Sequence, residues 1–181
     1  MKILNPFILI LLIFCASCDK NDDQPQNPID QLPPATQTGE QTFGCLIDGV
    51  PFIPDNFGFG RPSAFYQFSN DTYTLNISAS NRNEGYLKSI SIGAIKIENE
   101  IGERLYDLVE EEENKFYGQY NIGGGTIYSG ISSGENSGKL EVTNFDPDNF
   151  ILSGTFEFTV LDEKGSEIEI TDGRFDIKYT N

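Results

Sequence analysis

The residues that could do chemistry in this chain are its cysteines and carboxylates, because histidine is absent from all 181 positions. Without imidazole there is no Ser-His-Asp or Cys-His relay and no histidine-built zinc site. Three cysteines occur: Cys15, Cys18 and Cys45. Cys18 directly follows Ala16-Ser17, small residues that fit the narrow subsites of a signal peptidase. Upstream, Phe7 to Phe14 is an unbroken apolar run and Lys2 supplies a positive start. The run falls well short of the ~20 apolar residues that span a bilayer. Residues 1–17 therefore read as a cleaved leader, with the Cys18 thiol directly after the cut.

Cys15-Ala16-Ser17-Cys18 resembles a bacterial lipobox, with Cys15 standing where Leu is usual. In that family of signals the final cysteine carries fatty acyl chains and becomes the new N-terminus. The resemblance implies lipid attachment at Cys18 and a membrane partner reached through acyl chains, an ordinary secretory leader being the alternative. One chain binds a bilayer only marginally, so durable attachment implies at least two. Asp19-Lys20-Asn21-Asp22-Asp23 resembles the acidic export signal of some Gram-negative surface lipoproteins, a plain solvated linker being the alternative. The expected location is the outer membrane, lipid-anchored, on either its surface or its periplasmic face.

The other candidates are weaker. Cys45 sits in the apolar stretch Thr42-Phe43-Gly44-Cys45-Leu46-Ile47, where a buried, inert thiol is expected ahead of a nucleophile. With Cys15 lost and Cys18 acylated, no intramolecular disulfide remains. Among 28 carboxylates some pair must lie close, so a two-carboxylate glycan hydrolase stays an alternative, but no pair is marked by its spacing. Asp146-Pro147-Asp148-Asn149 offers oxygen donors for Ca²⁺ yet lacks the spacing and bidentate Glu of an EF-hand loop, so a turn is expected. The glycines between Ile122 and Gly138 do not match a phosphate-binding loop, since Leu140 follows Lys139 where Ser or Thr is required. No catalytic residue, cofactor or metal is assigned.

Charge narrows the partners. The formal net charge is −16, and removing Lys2 with the leader makes it −17. Such a field repels phosphate backbones and excludes nucleic acid. It also disfavours docking on anionic headgroups, leaving lipid as the means of attachment.

These residues need elements to position them. Residues 18–41, rich in Pro, Gln and Asn, read as a disordered tether, and 42–181 as a single antiparallel β-domain. Asp48-Gly49 between two apolar runs predicts a tight hairpin. Tyr73, Leu75, Ile77 and Ala79 alternate with polar residues, giving a strand with one wet face. Ile90 and Ile92 take one phase and Ile95 and Ile97 the other, predicting a bulge or corner at Gly93-Ala94. Asn99 to Asn114 is ambiguous; a strand at Leu105 to Leu108 followed by a charged loop is favoured over a helix, whose C-terminus four acids would oppose. Phe156 to Val160, Ile168-Ile170 and Phe175 to Tyr179, separated by Lys164-Gly165 and Asp172-Gly173, predict a C-terminal three-strand meander. The fold class is all-β, an antiparallel β-sandwich, with a flattened lipocalin-like β-barrel as the alternative.

Leu32 to Pro54, LPPATQTGEQTFGCLIDGVPFIP, and Ser153 to Tyr179, SGTFEFTV…EIEITDGRFDIKY, resemble the opening and close of a family of Gram-negative lipoproteins known only as a domain of unknown function. The two strings bracket the whole mature domain. The resemblance implies a lipoprotein and brings no activity, ligand or catalytic residue. The expectation is a non-catalytic binding or interaction module whose partner is a glycan or another envelope protein, as in an envelope assembly component. Of the aromatic set Phe52, Phe57, Phe59, Phe65, Tyr66 and Phe68, Phe57 and Phe59 lie in a Gly- and Pro-punctuated loop. They are expected to fold inward and plug an open end, with gripping a sugar or partner as the alternative.

Overall fold

The computed structural model describes residues 27–83, 86–123, 126–129, 138–162 and 164–181. The expected leader 1–17, Cys18, the expected tether as far as residue 26 and the glycine-containing stretch 130–137 lie outside the described residues.

The chain is all-β, as its alternation implies. The strands are β1 (Thr42–Ile47), β2 (Val50–Phe52), β3 (Ser63–Ser69), β4 (Thr72–Asn83), β5 (Tyr86–Ile97), β6 (Leu105–Leu108), β7 (Lys115–Ile122), β8 (Thr126–Ser129), β9 (Gly138–Asp146), β10 (Ile151–Leu161) and β11 (Glu167–Thr180). One antiparallel run is β8-β7-β5-β4-β3 and the other is β6-β9-β10-β11-β1-β2. Short parallel pairings join the runs at two corners, Leu108 with Phe116 at one and Tyr179-Thr180 with Ala64-Phe65 at the other. The sandwich is thus continuous around both edges, which makes it a flattened barrel as well.

Period-two alternation puts Leu75, Ile77 and Ala79 of β4, Ile90, Ile92 and Ala94 of β5, and Phe156, Phe158 and Val160 of β10 into one core. The Phe158 ring of β10 lands on a glycine of the other run. A Cβ on Gly118 of β7 would lie 2.7 Å from the Phe158 ring, so the missing side chain sets how closely the sheets approach.

Several expectations need correction. Asp172-Gly173 is not a turn. Phe156 pairs with Gly173 and Phe158 with Ile170, so Thr171 and Asp172 together oppose Glu157, and β11 runs unbroken through this bulge. Asp172 takes φ +53°, so the dipeptide's tolerance of left-handed backbone serves a bulge instead of a hairpin. The C-terminal meander is β9-β10-β11 instead. The bulge in β5 falls at Ile95-Lys96, both opposite Thr74, with Lys96 at φ +51°. Within the expected loop Ile122 to Gly138, Thr126–Ser129 pair with β7 as an edge strand. The strand at Leu105–Leu108 stands as read.

The tether is shorter than expected, because residues 27–41 are ordered. Pro28–Gln31 make a 3-10 turn, Leu32 is buried, and Pro33 covers Gly44 so closely that a Cβ there would lie 2.7 Å away. The segment then wraps the carboxylate of Asp176, fully buried on the outer side of β11. That carboxylate accepts from Thr36 Oγ1 (2.7 Å), Thr38 N (3.0 Å), Gly39 N (2.8 Å), Glu40 N (3.1 Å) and Ser153 Oγ (2.7 Å). Burial opposes the charge, but these donors outweigh it and hold the pKa down to about 2.

A depressed carboxylate stabilises the fold above its unfolded pKa of ~3.9, and that contribution is lost as pH falls towards the folded value. The contribution amounts to about 2 kcal/mol at neutral pH. Urea unfolding of Asp176→Asn should show a loss of about 3 kcal/mol at neutral pH. The gap between parent and variant should narrow as pH falls from 4 to 2; a gap independent of pH would contradict this account. Gly118→Ala should cost about 1–3 kcal/mol by overpacking against Phe158, read as a lower urea midpoint at unchanged slope.

Candidate functional site

The two ends of the sandwich are built differently. One is closed by aromatic rings. Tyr66 stacks on Tyr73 at 5.3 Å between centroids and meets Phe145 and Tyr179 edge-on at 5.5 and 6.0 Å. Its hydroxyl accepts from Ile101 N at 3.0 Å, so the polar tip is satisfied inside the plug.

The opposite end holds a cavity of about 480 Å³ between the sheets. Asp48 and Gly49, at φ +50° and +76°, turn β2 back along β1 and bring Ile47, Pro51 and Phe52 to one wall. Asp48 Oδ1 accepts from Glu169 N at 2.9 Å, pinning this hairpin to β11, which adds Ile168. The facing wall carries Asn81 of β4, Lys88 of β5, and Tyr120 and Ile122 of β7.

Asn81 and Lys88 reach this wall by strict alternation. The inward phase Leu75-Ile77-Ala79 continues to Asn81, and Ala94-Ile92-Ile90 read backwards continues to Lys88. The two are direct cross-strand partners, so their side chains leave the sheet on the same face within about 5 Å at Cβ. Asn81 is only 3% exposed. Its Nδ2 donates to Ile53 O at 2.9 Å, which fixes the amide's orientation, and its Oδ1 has no hydrogen-bond partner. A buried orphan acceptor costs about 1–3 kcal/mol. Lys88 pairs with no carboxylate among the described residues. The lining thus offers apolar surface with one cation, Lys88, and one carboxylate, Asp48, while Asn81 Oδ1 is itself shut off from the cavity.

Phe57 and Phe59 do not plug this end. They are 81% and 108% exposed, on a loop anchored beside the mouth by Asp55 N donating to Ser80 O at 2.9 Å. The plug at the far end uses Tyr66 from the same aromatic set, while Phe52 is core and Phe65 and Phe68 are exposed. Cys45 is wholly buried, and desolvation pushes its thiol far up from its ordinary value. Asp146 spends its carboxylate on its own turn, accepting from Asp148 N, Asn149 N and Asn149 Nδ2 at 3.1, 3.0 and 2.7 Å. These bonds lower its pKa, the Asn149 side-chain bond foremost. Sequence reasoning followed the inward phase only as far as Ala79 and Ile90; one more step along each strand reaches Asn81 and Lys88.

No protein-family model, curated protein or solved structure matches this chain.

A thiol reagent should leave Cys45 unlabelled in the native protein and label it fully in guanidinium; native labelling would contradict its burial. The double variant Phe57→Ser/Phe59→Ser should keep stability within about 0.5 kcal/mol, since neither ring is packed. A large drop in its melting temperature would show that the rings support the fold.

Proposed function

We propose that this protein is a lipid-anchored, non-catalytic binding module of the bacterial outer membrane, acylated at Cys18, that holds a small ligand in the open end of its β-sandwich. The observation that carries the reading is the cavity of about 480 Å³ at that end, with Ile47, Phe52, Ile122 and Ile168 as apolar walls and Lys88 as a cation that pairs with no carboxylate among the described residues. Small ligands are held in concave, mostly apolar sites that carry a few polar groups. The non-catalytic part is supported by electrostatics. Asp146, Asp162 and Asp176, whose pKa values are displaced, are all held down, opposite to the raised pKa of the general acid a two-carboxylate hydrolase needs. Attachment is supported by the leader and by the ordered strap. Only eight residues, 19–26, separate Cys18 from Asn27, a reach of about 30 Å even fully extended, so the domain would sit close to its membrane.

A second reading, an envelope protein or glycan gripped at the surface, is favoured by the exposed Phe57 and Phe59 beside the mouth.

Two measurements test the proposal. A fluorescent apolar probe such as anilinonaphthalene sulfonate should bind one-to-one and be excluded by Val50→Trp, a change at an exposed rim position that leaves the core alone. Failure of the probe to saturate would remove the cavity reading. Cys18→Ala should move the protein out of the detergent phase in phase partitioning, and unchanged partitioning would remove the anchor.

A further inference from the structure

Resting on the anchored reading, we infer that the loop 54–62 is a second membrane contact: Phe57 and Phe59 enter the headgroup region of the bilayer that holds Cys18.

The loop has a fixed base and a free tip. At the base, Asp55 N donates to Ser80 O at 2.9 Å, and a Cβ on Gly60 would lie 2.7 Å from that same oxygen. At the tip, Gly58 takes φ +69° between the two rings, and a Cβ there would meet nothing within 4 Å. Both rings project into solvent. Aromatic side chains presented in this way settle at the boundary between headgroups and acyl chains.

What decides the occupant is where the anchored chain leaves the domain. The 3-10 turn Pro28–Gln31 packs against β2. Gln31 and Leu32 share a shallow groove with Pro54, Asn56 and Pro62, which belong to the loop. The chain therefore exits at Asn27 beside the loop. Only residues 19–26 lie between Asn27 and Cys18, a reach of about 30 Å at full extension. Ile29 on the turn, with Val50 and Ile53 next to it, adds exposed apolar side chains on the same side. Tethering raises the concentration of the loop at the bilayer, so a contact too weak to recruit a free protein is populated here.

Charge permits the contact. The chain carries −16 overall, yet the loop carries one acid and one base, Asp55 and Arg61. Arg61 is exposed and forms no ion pair among the described residues, which leaves it for a headgroup phosphate. The remaining surface is acidic and repels an anionic bilayer, so a zwitterionic surface is the fitting one.

The chain has no tryptophan, so Phe59→Trp places a single reporter at the tip, and Phe68→Trp places a control at an exposed position of the aromatic end. The full chain, purified from membranes, is reconstituted into phosphatidylcholine–phosphatidylethanolamine vesicles with or without bromine on the acyl chains. Phe59→Trp should lose about half its emission to bromine, and Phe68→Trp less than about a tenth. Adding Phe57→Ser to Phe59→Trp should cut that quenching about twofold, because half of the apolar contact is gone. Equally weak quenching at both positions, in chains that float with the vesicles, would overturn the docking while the anchor stands, and would leave the rings to a protein or glycan. Chains that fail to float would remove the anchor and this inference with it.

Discussion

Side chains alternate along a strand, and this molecule depends on keeping that alternation in step around a closed circuit. Among the described strands eight close the ring β3-β4-β5-β7-β6-β9-β10-β11, with β1 and β2 extending from β11 and β8 from β7. A slip of one residue anywhere would turn a core-facing set outward. The long strands would accumulate such slips as they twist, and the bulges correct them. In β11 the inward phase runs Ile168, Ile170 before Asp172 and Gly173, Phe175, Ile177, Tyr179 after it. In β5 the bulge at Ile95-Lys96 does the same between Ala94 and Ile97. Both use a non-glycine residue in left-handed backbone, which is tolerated because the surrounding ladder fixes it.

This explains which parts of the fold were legible in the sequence. Alternation and turn chemistry are local, so the Asp48-Gly49 hairpin, the strand through Leu75 and Ile77, and the short strand at Leu105–Leu108 could be read directly. A phase change is also visible locally, yet whether it marks a bulge or a turn depends on the strand opposite. Asp172-Gly173 looks like a hairpin turn by composition; β10 running past it unbroken makes it a bulge.

The ordered strap was illegible for a different reason. Residues 27–41 carry few apolar side chains, and composition alone assigns them to a linker. What orders them is one carboxylate about 140 positions away, which collects three backbone N–H groups and a hydroxyl from the strap. Backbone donors leave no trace in residue type. The nearest hint in the sequence is Asp176 itself, an acid embedded between Phe175 and Ile177, and its neighbours identify it only once the strap is seen to cover the outer face.

The contrast between the two ends bears most directly on function. The aromatic end satisfies the Tyr66 hydroxyl and packs ring against ring, so both packing and hydrogen bonding stabilise it. The other end opens as a cavity of about 480 Å³, where Asn81 holds the Ile53 carbonyl through Nδ2 while its own Oδ1 is buried unpaired. A buried orphan acceptor costs about 1–3 kcal/mol. A fold with a net stability of about 5–15 kcal/mol does not carry such a deficit neutrally. That cost falls beside Lys88, the cross-strand partner of Asn81 in the wall of the cavity.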